Sequence, residues 1–512
     1  MPSVQDDRDR KVVPRWRRFR RALSMRELAP LSVRTPEASK DLAFETRLQD
    51  WRDNRTFSFA ADLIASALVL GRSEEVHDAA QFVLQSPRPH PHAADLVAKR
   101  ILEPDSFLHE TDMPSPVEEQ DARRLIHSIR VRLHDDPRDT FLWLDFALAY
   151  ECLGFRRQAT QAIEIALKQA PDNRFVLRSA ARMFLHQDDA RRAHDILRMA
   201  PGLKRDPWLL AGEIALASAA ERKSYNIKHS MRVLDAARVR PFHLSELASA
   251  VGTLEMEHGN RKKGRRLLHL SLKDPTENAI AQVAWLVRKV DSASIEGFSP
   301  DLVNPSPEGA AWTLALSGEW AKALQASKDW LADQAFSSRP AICGSYIACV
   351  PMDEYESGMA IAKRGVRANP HDFSLLNNYA FAAAQAGRLD EAKQAFARID
   401  SRNIAGLART VWLATAGLLL YRSNDPVAGR EYYLKAIQCA ESDTDPKYRI
   451  LANLFFALEE LRIAAPDAER RRREAIETAQ KIPDVDVKAL AQRVQKFGNS
   501  PGKPFRSVPP ER

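Results

Sequence analysis

Residues 139–173 read DTFLWLDFALAYECLGFRRQATQAIEIALKQAPDN, and this stretch decides the fold. Trp143, Ala147 and Tyr150 recur at the spacing of one helix face, and Gly154 then permits the backbone conformation that ends a first helix. A second apolar stripe follows at helical spacing: Ala159, Ile163 and Ala166. Small residues let two such helices approach closely, and large ones fill the remaining space. One hairpin cannot bury its own apolar face, so the stretch predicts neighbouring copies.

The predicted copies recur at an interval of 34 residues. The unit that follows directly has Leu177, Ala181, Phe184, Ala193, Leu197 and Ala200. A second clear pair of units has Ile342, Gly358, Ala362 and Pro370, then Leu376, Ala380, Gly387, Ala392 and Phe396. Weaker units have their turns at Gly71, Gly259 and Gly318, and another spans residues 413–436.

This pattern resembles the tetratricopeptide repeat family. A family repeat has a Trp or Leu, a small residue, a Tyr and a turn Gly, followed by Ala, Phe, Ala and Pro. With connecting helices, the resemblance covers roughly residues 41–495. It implies an all-α fold, a tetratricopeptide-type α-solenoid in which helix-turn-helix repeats form a right-handed superhelix.

The composition along the chain predicts five segments. These are a basic, disordered arm (1–40), an N-terminal solenoid half (41–290), a loop or hinge (291–308), a C-terminal half with a capping helix (309–496) and a disordered tail (497–512).

The positive charge of the chain is concentrated in the arm. Residues 1–34 contain ten Lys or Arg against four acids, whereas the whole protein carries a net charge of +8. The solenoid itself is therefore close to neutral. A solvated leader is one interpretation. The other is an arm that contacts nucleic acid, an anionic membrane surface or an acidic partner, and Trp16 and Phe19 favour such a contact. The candidate anion-binding residues are Arg15, Arg17, Arg18, Arg20 and Arg21.

No pattern for catalysis, a metal or a cofactor stands out, so we expect a protein that is not an enzyme and needs no cofactor. The four cysteines (Cys152, Cys343, Cys349 and Cys439) form no CxxC pair, which fits reduced core residues and a cytoplasmic location. Residues 259–266, GNRKKGRR, approach a phosphate-binding loop but lack its hydroxyl residue. The longest apolar run, 410–421, is too short to span a bilayer.

The resemblance also implies a binding surface. In tetratricopeptide proteins, the first helices of successive repeats line a concave groove that receives peptides or partner helices. The corresponding positions here are Asn377, Asn378, Phe381, Gln385, Leu144, Leu148 and Glu151. An Asn there can bond the backbone of an extended peptide. The family's carboxylate clamp is not expected, because Cys343, Ile347, Val411 and Thr415 replace its Lys, Asn and Arg residues.

These observations predict a non-catalytic scaffold or adaptor that binds a protein or peptide partner in its groove and organises a multiprotein complex. The alternative is a nucleic-acid-associated regulator that uses the basic arm, with the solenoid sensing a partner. The sequence indicates neither the identity of the partner nor the oligomeric state.

Overall fold

Every regular element that the structure describes is a helix. A computed structural model of the chain describes residues 13–16, 37–70, 72–86, 92–103, 118–236, 239–289, 295, 298–299, 306–440 and 446–499. No β-strand occurs in these ranges, and the predicted all-α class is confirmed. None of the helices in these ranges is long and apolar enough to cross a membrane.

The α-helices are numbered here in chain order. They are α1 (Glu37–Asp53), α2 (Phe57–Leu70), α3 (His77–Gln85), α4 (His92–Leu102), α5 (Glu119–Asp135), α6 (Thr140–Cys152), α7 (Arg156–Gln169), α8 (Arg174–His186), α9 (Ala190–Arg198), α10 (Pro207–Ala219), α11 (Ile227–Ala236), α12 (Pro241–Glu257), α13 (Arg261–Ser271), α14 (Glu277–Lys289), α15 (Pro307–Leu316), α16 (Trp320–Asp333), α17 (Ser338–Cys349), α18 (Tyr355–Ala368), α19 (Phe373–Gln385), α20 (Leu389–Ala397), α21 (Gly406–Arg422), α22 (Pro426–Cys439), α23 (Lys447–Arg462), α24 (Ala468–Gln480) and α25 (Val485–Asn499).

Acidic and amide side chains define where the clearest first helices begin. Asp139, Asn173 and Asp206 stand immediately before α6, α8 and α10, and each side chain accepts a hydrogen bond from a backbone N–H of the first turn. Asp372 caps α19 in the same way. Such a cap stabilises a helix by about 1 kcal/mol relative to alanine. The caps recur at nearly the repeat interval, so they and the apolar stripes specify the same helix boundaries.

The helices form consecutive pairs, and the first helices of successive pairs contact one another. Such contacts join α6 to α8 and α8 to α10, and they run from α15 through α17, α19 and α21 to α23. Between these two runs, α12 contacts α14 where Gln282 Nε2 donates to Thr253 Oγ1 at 3.1 Å. We call these first helices, together with α14, the first-helix layer. This layer is the structural counterpart of the surface that the sequence pattern predicted.

By packing, the chain forms two compact units. The larger contains residues 1–18, 115–234 and 244–512, and the smaller contains residues 19–114 and 235–243. The described core of the smaller unit includes Trp51, Leu63 and Val83. These boundaries differ from the predicted halves. Ile295, within the predicted hinge, is buried in a cluster with Trp285. The rest of that hinge lies mostly outside the described residues, and hinge motion stays a prediction.

Within the larger unit, helices that are distant in sequence also meet. Arg367 Nε on α18 donates to the Cys152 carbonyl at 3.3 Å. At the other end, the Tyr346 hydroxyl on α17 donates to Asp486 at 3.0 Å, and Arg493 on α25 donates to the Val350 carbonyl at 3.1 Å. The last helix was expected to cap the exposed end of the stack. It also packs against α17 and the residue that follows α17, through these two hydrogen bonds.

The contact between α6 and α18 predicts that two turn glycines respond differently to alanine. Gly154 and Gly318 both have φ +76°, where an L side chain is strained. A Cβ at Gly154 would lie 2.9 Å from the Arg367 carbonyl oxygen, whereas a Cβ at Gly318 meets nothing within 4 Å. We expect Gly318→Ala to cost about 1 kcal/mol of unfolding free energy. Gly154→Ala should cost a further ~1–3 kcal/mol.

Chemical denaturation of the two variants measures this difference, with Gly318→Ala as the matched control for backbone strain. Equal losses of stability in the two variants would show that the α6–α18 contact does not form in solution.

Candidate functional site

The predicted groove residues of the C-terminal half are engaged within the chain. Gln385 is buried, and its side-chain oxygen accepts hydrogen bonds from Arg422 at 2.8 Å and from Arg462 at 3.0 Å. Phe381 is half-buried and packs edge-on against Phe455 of α23, with ring centroids 5.0 Å apart. Helix α23 and the end of α21 therefore cover part of this face.

The two neighbouring asparagines are also held in place. Asn377 is buried. Asn378 is half-buried and donates to the Ser345 hydroxyl at 3.0 Å, which ties α19 to α17. The sequence pattern predicts a binding face here, but it does not show that the chain's own residues occupy part of that face. Whether any of these residues contacts a partner stays a prediction.

The predicted groove residues of the N-terminal half are buried as well. Leu144 and Leu148 lie in the core, and Glu151 is fully buried. Glu151 accepts a hydrogen bond from Gln187 at 3.1 Å and lies 3.4 Å from Nε2 of His186. Burial raises the pKa of Glu151 to about 7, against the lowering effects of Gln187 and Arg156. Burial also lowers the pKa of His186 well below its ordinary value, with a smaller effect from Arg182.

These pKa shifts predict a pH-dependent response to Glu151→Gln. The folded state holds the Glu151 proton more tightly than the unfolded state, so this group disfavours folding progressively as pH rises from about 4.5 to about 7. At pH 5 the substitution should be nearly neutral. At pH 8 it should stabilise the protein by about 3 kcal/mol, since a buried charge is removed.

Denaturant midpoints of the wild type and the variant between pH 5 and pH 8 measure this effect. Glu164→Gln, at a substantially exposed position on α7, is the matched control. A stability difference that does not change with pH would mean that Glu151 does not titrate in this range.

A short segment without regular secondary structure, Val13–Trp16, lies against the first-helix layer. The Val13 carbonyl accepts a hydrogen bond from Asn278 Nδ2 on α14 at 3.0 Å. Pro14 is buried, and a Cβ added at Gly212 of α10 would lie 3.1 Å from its Cγ. We call these four residues the N-terminal segment. The expected arm (1–40) is thus not free along its whole length, because four of its residues are packed against the solenoid.

Three carboxylates converge on Arg15 of the N-terminal segment. Its guanidinium forms an ion pair with Glu277 at the beginning of α14. Glu308 of α15 and Asp333 at the end of α16 lie 3.8 Å and 3.9 Å from it. Arg15 was predicted to contact an anion, and in the described structure its anionic contacts are these side chains. The other four candidate arginines, Arg17, Arg18, Arg20 and Arg21, lie outside the described residues.

Trp16 is fully buried in an aromatic pocket. Its ring centroid lies 5.0 Å from that of Phe336, in the connection between α16 and α17. Two residues of α8 lie next to the Phe336 ring. The His186 ring packs edge-on against it, with ring centroids 5.0 Å apart, and the Arg182 guanidinium lies 5.4 Å from the Phe336 ring centroid. The pocket therefore combines an aromatic wall with polar groups at its edge.

The residues that hold this segment were not predicted from the sequence. They are Gly212, Asn278, Glu277, Glu308, Asp333 and Phe336. The available signal was in the segment itself, since Val13, Pro14 and Trp16 are apolar residues within a basic stretch. Such residues are poor choices for a fully solvated tail.

Other candidates from the sequence have structural roles. Residues 261–266 belong to α13, a helix rather than a phosphate-binding loop, and Lys263 pairs with Glu255 at 2.7 Å. Burial raises the pKa of both Cys152 and Cys349 to about 12, so these thiols stay protonated and are poor nucleophiles. Among the described residues, no cluster of His, Cys, Asp and Glu could hold a metal ion.

No family model matches the chain, and no curated protein matches it. Several solved structures are similar. The Cut9–Hcn1 tetramer of APC/C is 13% identical with a TM-score of 0.38, and the match covers 90% of this chain and 93% of that one. Human IFIT1 bound to PPP-AAAA is 12% identical with a TM-score of 0.31, covering 97% and 100%. Yeast Tom70 is 11% identical with a TM-score of 0.29, covering 91% and 94%.

Likeness at these TM-scores carries no inference about function. The fold is instead established by the chain's own helix pairs, by its capped first helices and by the left-handed glycines at its turns. On this evidence the chain is a tetratricopeptide-type α-solenoid.

Proposed function

We propose that this chain is a non-catalytic scaffold or adaptor that binds a protein or peptide partner on its first-helix layer and thereby organises a multiprotein complex. The N-terminal segment is the observation that carries this proposal. It is a peptide segment outside the helices, held by an asparagine and two carboxylates of that layer, by Asp333 of α16 and by an aromatic pocket. A surface that binds one extended segment has the chemistry to bind another.

The proposal also specifies where a partner would bind. The predicted groove residues, among them Asn378, Phe381 and Glu151, already have partners within the chain. A partner that used them would have to displace helix contacts. In the layer around α14 and α15, a partner would have to displace the described contacts of the N-terminal segment. The reduced state of the cysteines in the structure fits a reducing compartment, and we propose the cytoplasm.

The test is capture of a partner from native cells, followed by reconstitution from purified components. A stable complex of fixed stoichiometry should form, and hydrogen exchange should show protection on α14 and α15. Asp333→Lys should weaken the complex at least tenfold, whereas Glu319→Lys, an exposed charge reversal at the opposite end of α16, should not. A chain that remains alone under gentle conditions, or protection confined to second helices, would contradict the proposal.

The alternative role in nucleic-acid binding is favoured by the charge of residues 1–34. Binding of nucleic acid through Arg15 would require the loss of its described ion pairs, because a guanidinium held by carboxylates does not also neutralise a phosphate. If the arm binds nucleic acid, affinity should fall steeply with salt and should disappear when residues 1–34 are deleted. Binding that survives this deletion would exclude the arm.

A further inference from the structure

We propose that the site holding Val13–Trp16 is a selective peptide-binding site, and that this N-terminal segment is its exchangeable intramolecular ligand. The partner would carry an extended stretch in which a proline is followed directly by an arginine and a large aromatic residue. This inference rests on the proposed function and specifies the ligand of that same surface. Four features of the site support it.

Backbone recognition comes first. Asn278 Nδ2 donates to the Val13 carbonyl, and no helix or strand includes the segment. An amide that bonds a peptide carbonyl recognises an extended chain whatever its side chains are. Proline follows at the next position, which keeps the chain extended and has no N–H to satisfy. Gly212 allows α10 to approach Pro14 closely, since any Cβ would lie 3.1 Å from the proline ring.

Arginine selection comes second. Glu277, Glu308 and Asp333 approach the Arg15 guanidinium from three different elements. Glu308 is also paired with Arg339 at 2.9 Å, which fixes its position before any ligand binds. A planar guanidinium has five N–H donors and can bind several carboxylates at once, whereas a lysine ammonium is a compact charge with three donors. The site should therefore prefer arginine to lysine.

The aromatic pocket is the third feature. Trp16 is 0% exposed and packs against Phe336. Asn369 Nδ2 donates to the Phe336 carbonyl at 3.0 Å, so the wall of the pocket is anchored independently of the ligand. A buried indole in a preformed pocket is the type of contact that dominates peptide affinity. Because Arg15 directly precedes Trp16, the carboxylates that bind the guanidinium lie next to the pocket that binds the indole ring.

The fourth feature is that the segment can leave without dismantling a helix pair. It contributes no helix to the stack, and its partners lie about 200 or more residues further along the chain. The side chains of Glu277 and Asp333 retain 24% and 20% of their exposure, so water can solvate them when Arg15 departs. A tethered ligand acts at an effective concentration on the order of millimolar, so a free partner must compete with it.

The test uses a fluorescent peptide of residues 9–20, DRKVVPRWRRFR, and the full-length chain. The wild type is compared with a full-length double variant, Arg15→Ala with Trp16→Ala, whose own segment can no longer occupy the site. Fluorescence anisotropy should show that the peptide binds the double variant at least tenfold more tightly than it binds the wild type. Peptides with Arg15→Lys, Trp16→Ala or a scrambled order of the same residues should bind at least tenfold more weakly.

A second measurement keeps the test decisive if the double variant folds poorly. In the wild type, excess peptide should remove hydrogen-exchange protection from residues 13–16 while α14 and α15 remain protected. Equal binding of the scrambled peptide, or no binding to a folded double variant, would overturn the inference. So would unchanged protection of residues 13–16 under saturating peptide. If a captured partner still binds in that case, the scaffold function stands and uses another surface.

Discussion

Replacing Lys447 with methionine is expected to lower the free energy of unfolding by about 3–5 kcal/mol. Lys447 is buried at the beginning of α23, and its ammonium donates to Asp484 at 2.9 Å and to Asp486 at 2.5 Å. Asp486 also accepts a hydrogen bond from the Tyr346 hydroxyl. Methionine keeps the length of the side chain but leaves the buried carboxylate of Asp486 and the partly exposed carboxylate of Asp484 without their cation. The cost therefore arises from uncompensated charge rather than from a cavity.

The loss should depend on pH. Burial raises the pKa of Asp484, but the charge and hydrogen bond of Lys447 outweigh that effect and hold it below its ordinary value. In the wild type, ionised Asp484 stabilises the folded state at pH values above the ordinary pKa of an aspartate. This stabilisation is lost as pH falls through the lower pKa that Asp484 has in the folded state. In the variant, Asp484 no longer receives this stabilisation from Lys447. The difference between the two proteins should therefore be largest near pH 8 and should shrink toward pH 4.

Denaturant unfolding followed by circular dichroism at both pH values measures this prediction. Lys435→Met is the matched control, because Lys435 pairs with Glu431 on the exposed face of α22. It should leave the unfolding midpoint unchanged. A Lys447 variant that behaves like the control would show that the buried contact between α23 and the beginning of α25 does not form in solution.

The local parts of the fold could be predicted from the sequence because they depend on short-range physics. Gly154, Gly318 and Gly387 occupy left-handed turns, as their places in the repeat indicate. Asp139 and Asn173 cap the helices that follow them. Each of these features needs only a few neighbouring residues. A repeat unit carries them all, so its pattern survives even where the overall sequence has diverged.

The candidate site could not be predicted in the same way. The face of Gln385 is covered by Arg462, which is 77 residues away, and that of Phe381 by Phe455. A repeat pattern predicts how each unit packs against the next one. It does not predict contacts between a helix and another helix that lies much further along the chain. The predicted positions therefore lie on the expected helices, but the chain's own residues occupy their surroundings.

Net charge alone did not indicate the partners of Arg15, for a related reason. An excess of arginine predicts a solvated arm if the remainder of the chain is treated as uniformly neutral. The described part of the solenoid instead gathers Glu277, Glu308 and Asp333 around Arg15. Those acids lie on three elements that are separated in sequence. Their convergence is a property of the fold, and composition does not encode it.

The second large effect is expected at Phe455, the residue that covers Phe381. Phe455 is buried on α23, and its ring also lies 5.7 Å from the Arg493 guanidinium. Phe455→Ala removes this ring from a packed cluster and should lower the free energy of unfolding by about 3–5 kcal/mol. It should also open the face of α19 that bears Phe381. An environment-sensitive hydrophobic dye should then bind the folded variant more strongly than it binds the wild type.

Phe155→Ala provides the control, because Phe155 is 38% exposed and its ring lies 6.3 Å from that of Tyr150. Its removal frees little buried surface, so we expect a loss below about 1 kcal/mol and no gain in dye binding. Denaturant midpoints and dye titrations on folded protein distinguish the two variants. If Phe455→Ala neither lowers the midpoint nor exposes an apolar face, α23 does not cover this part of the first-helix layer. The predicted groove around Asn378 would then be open to a partner.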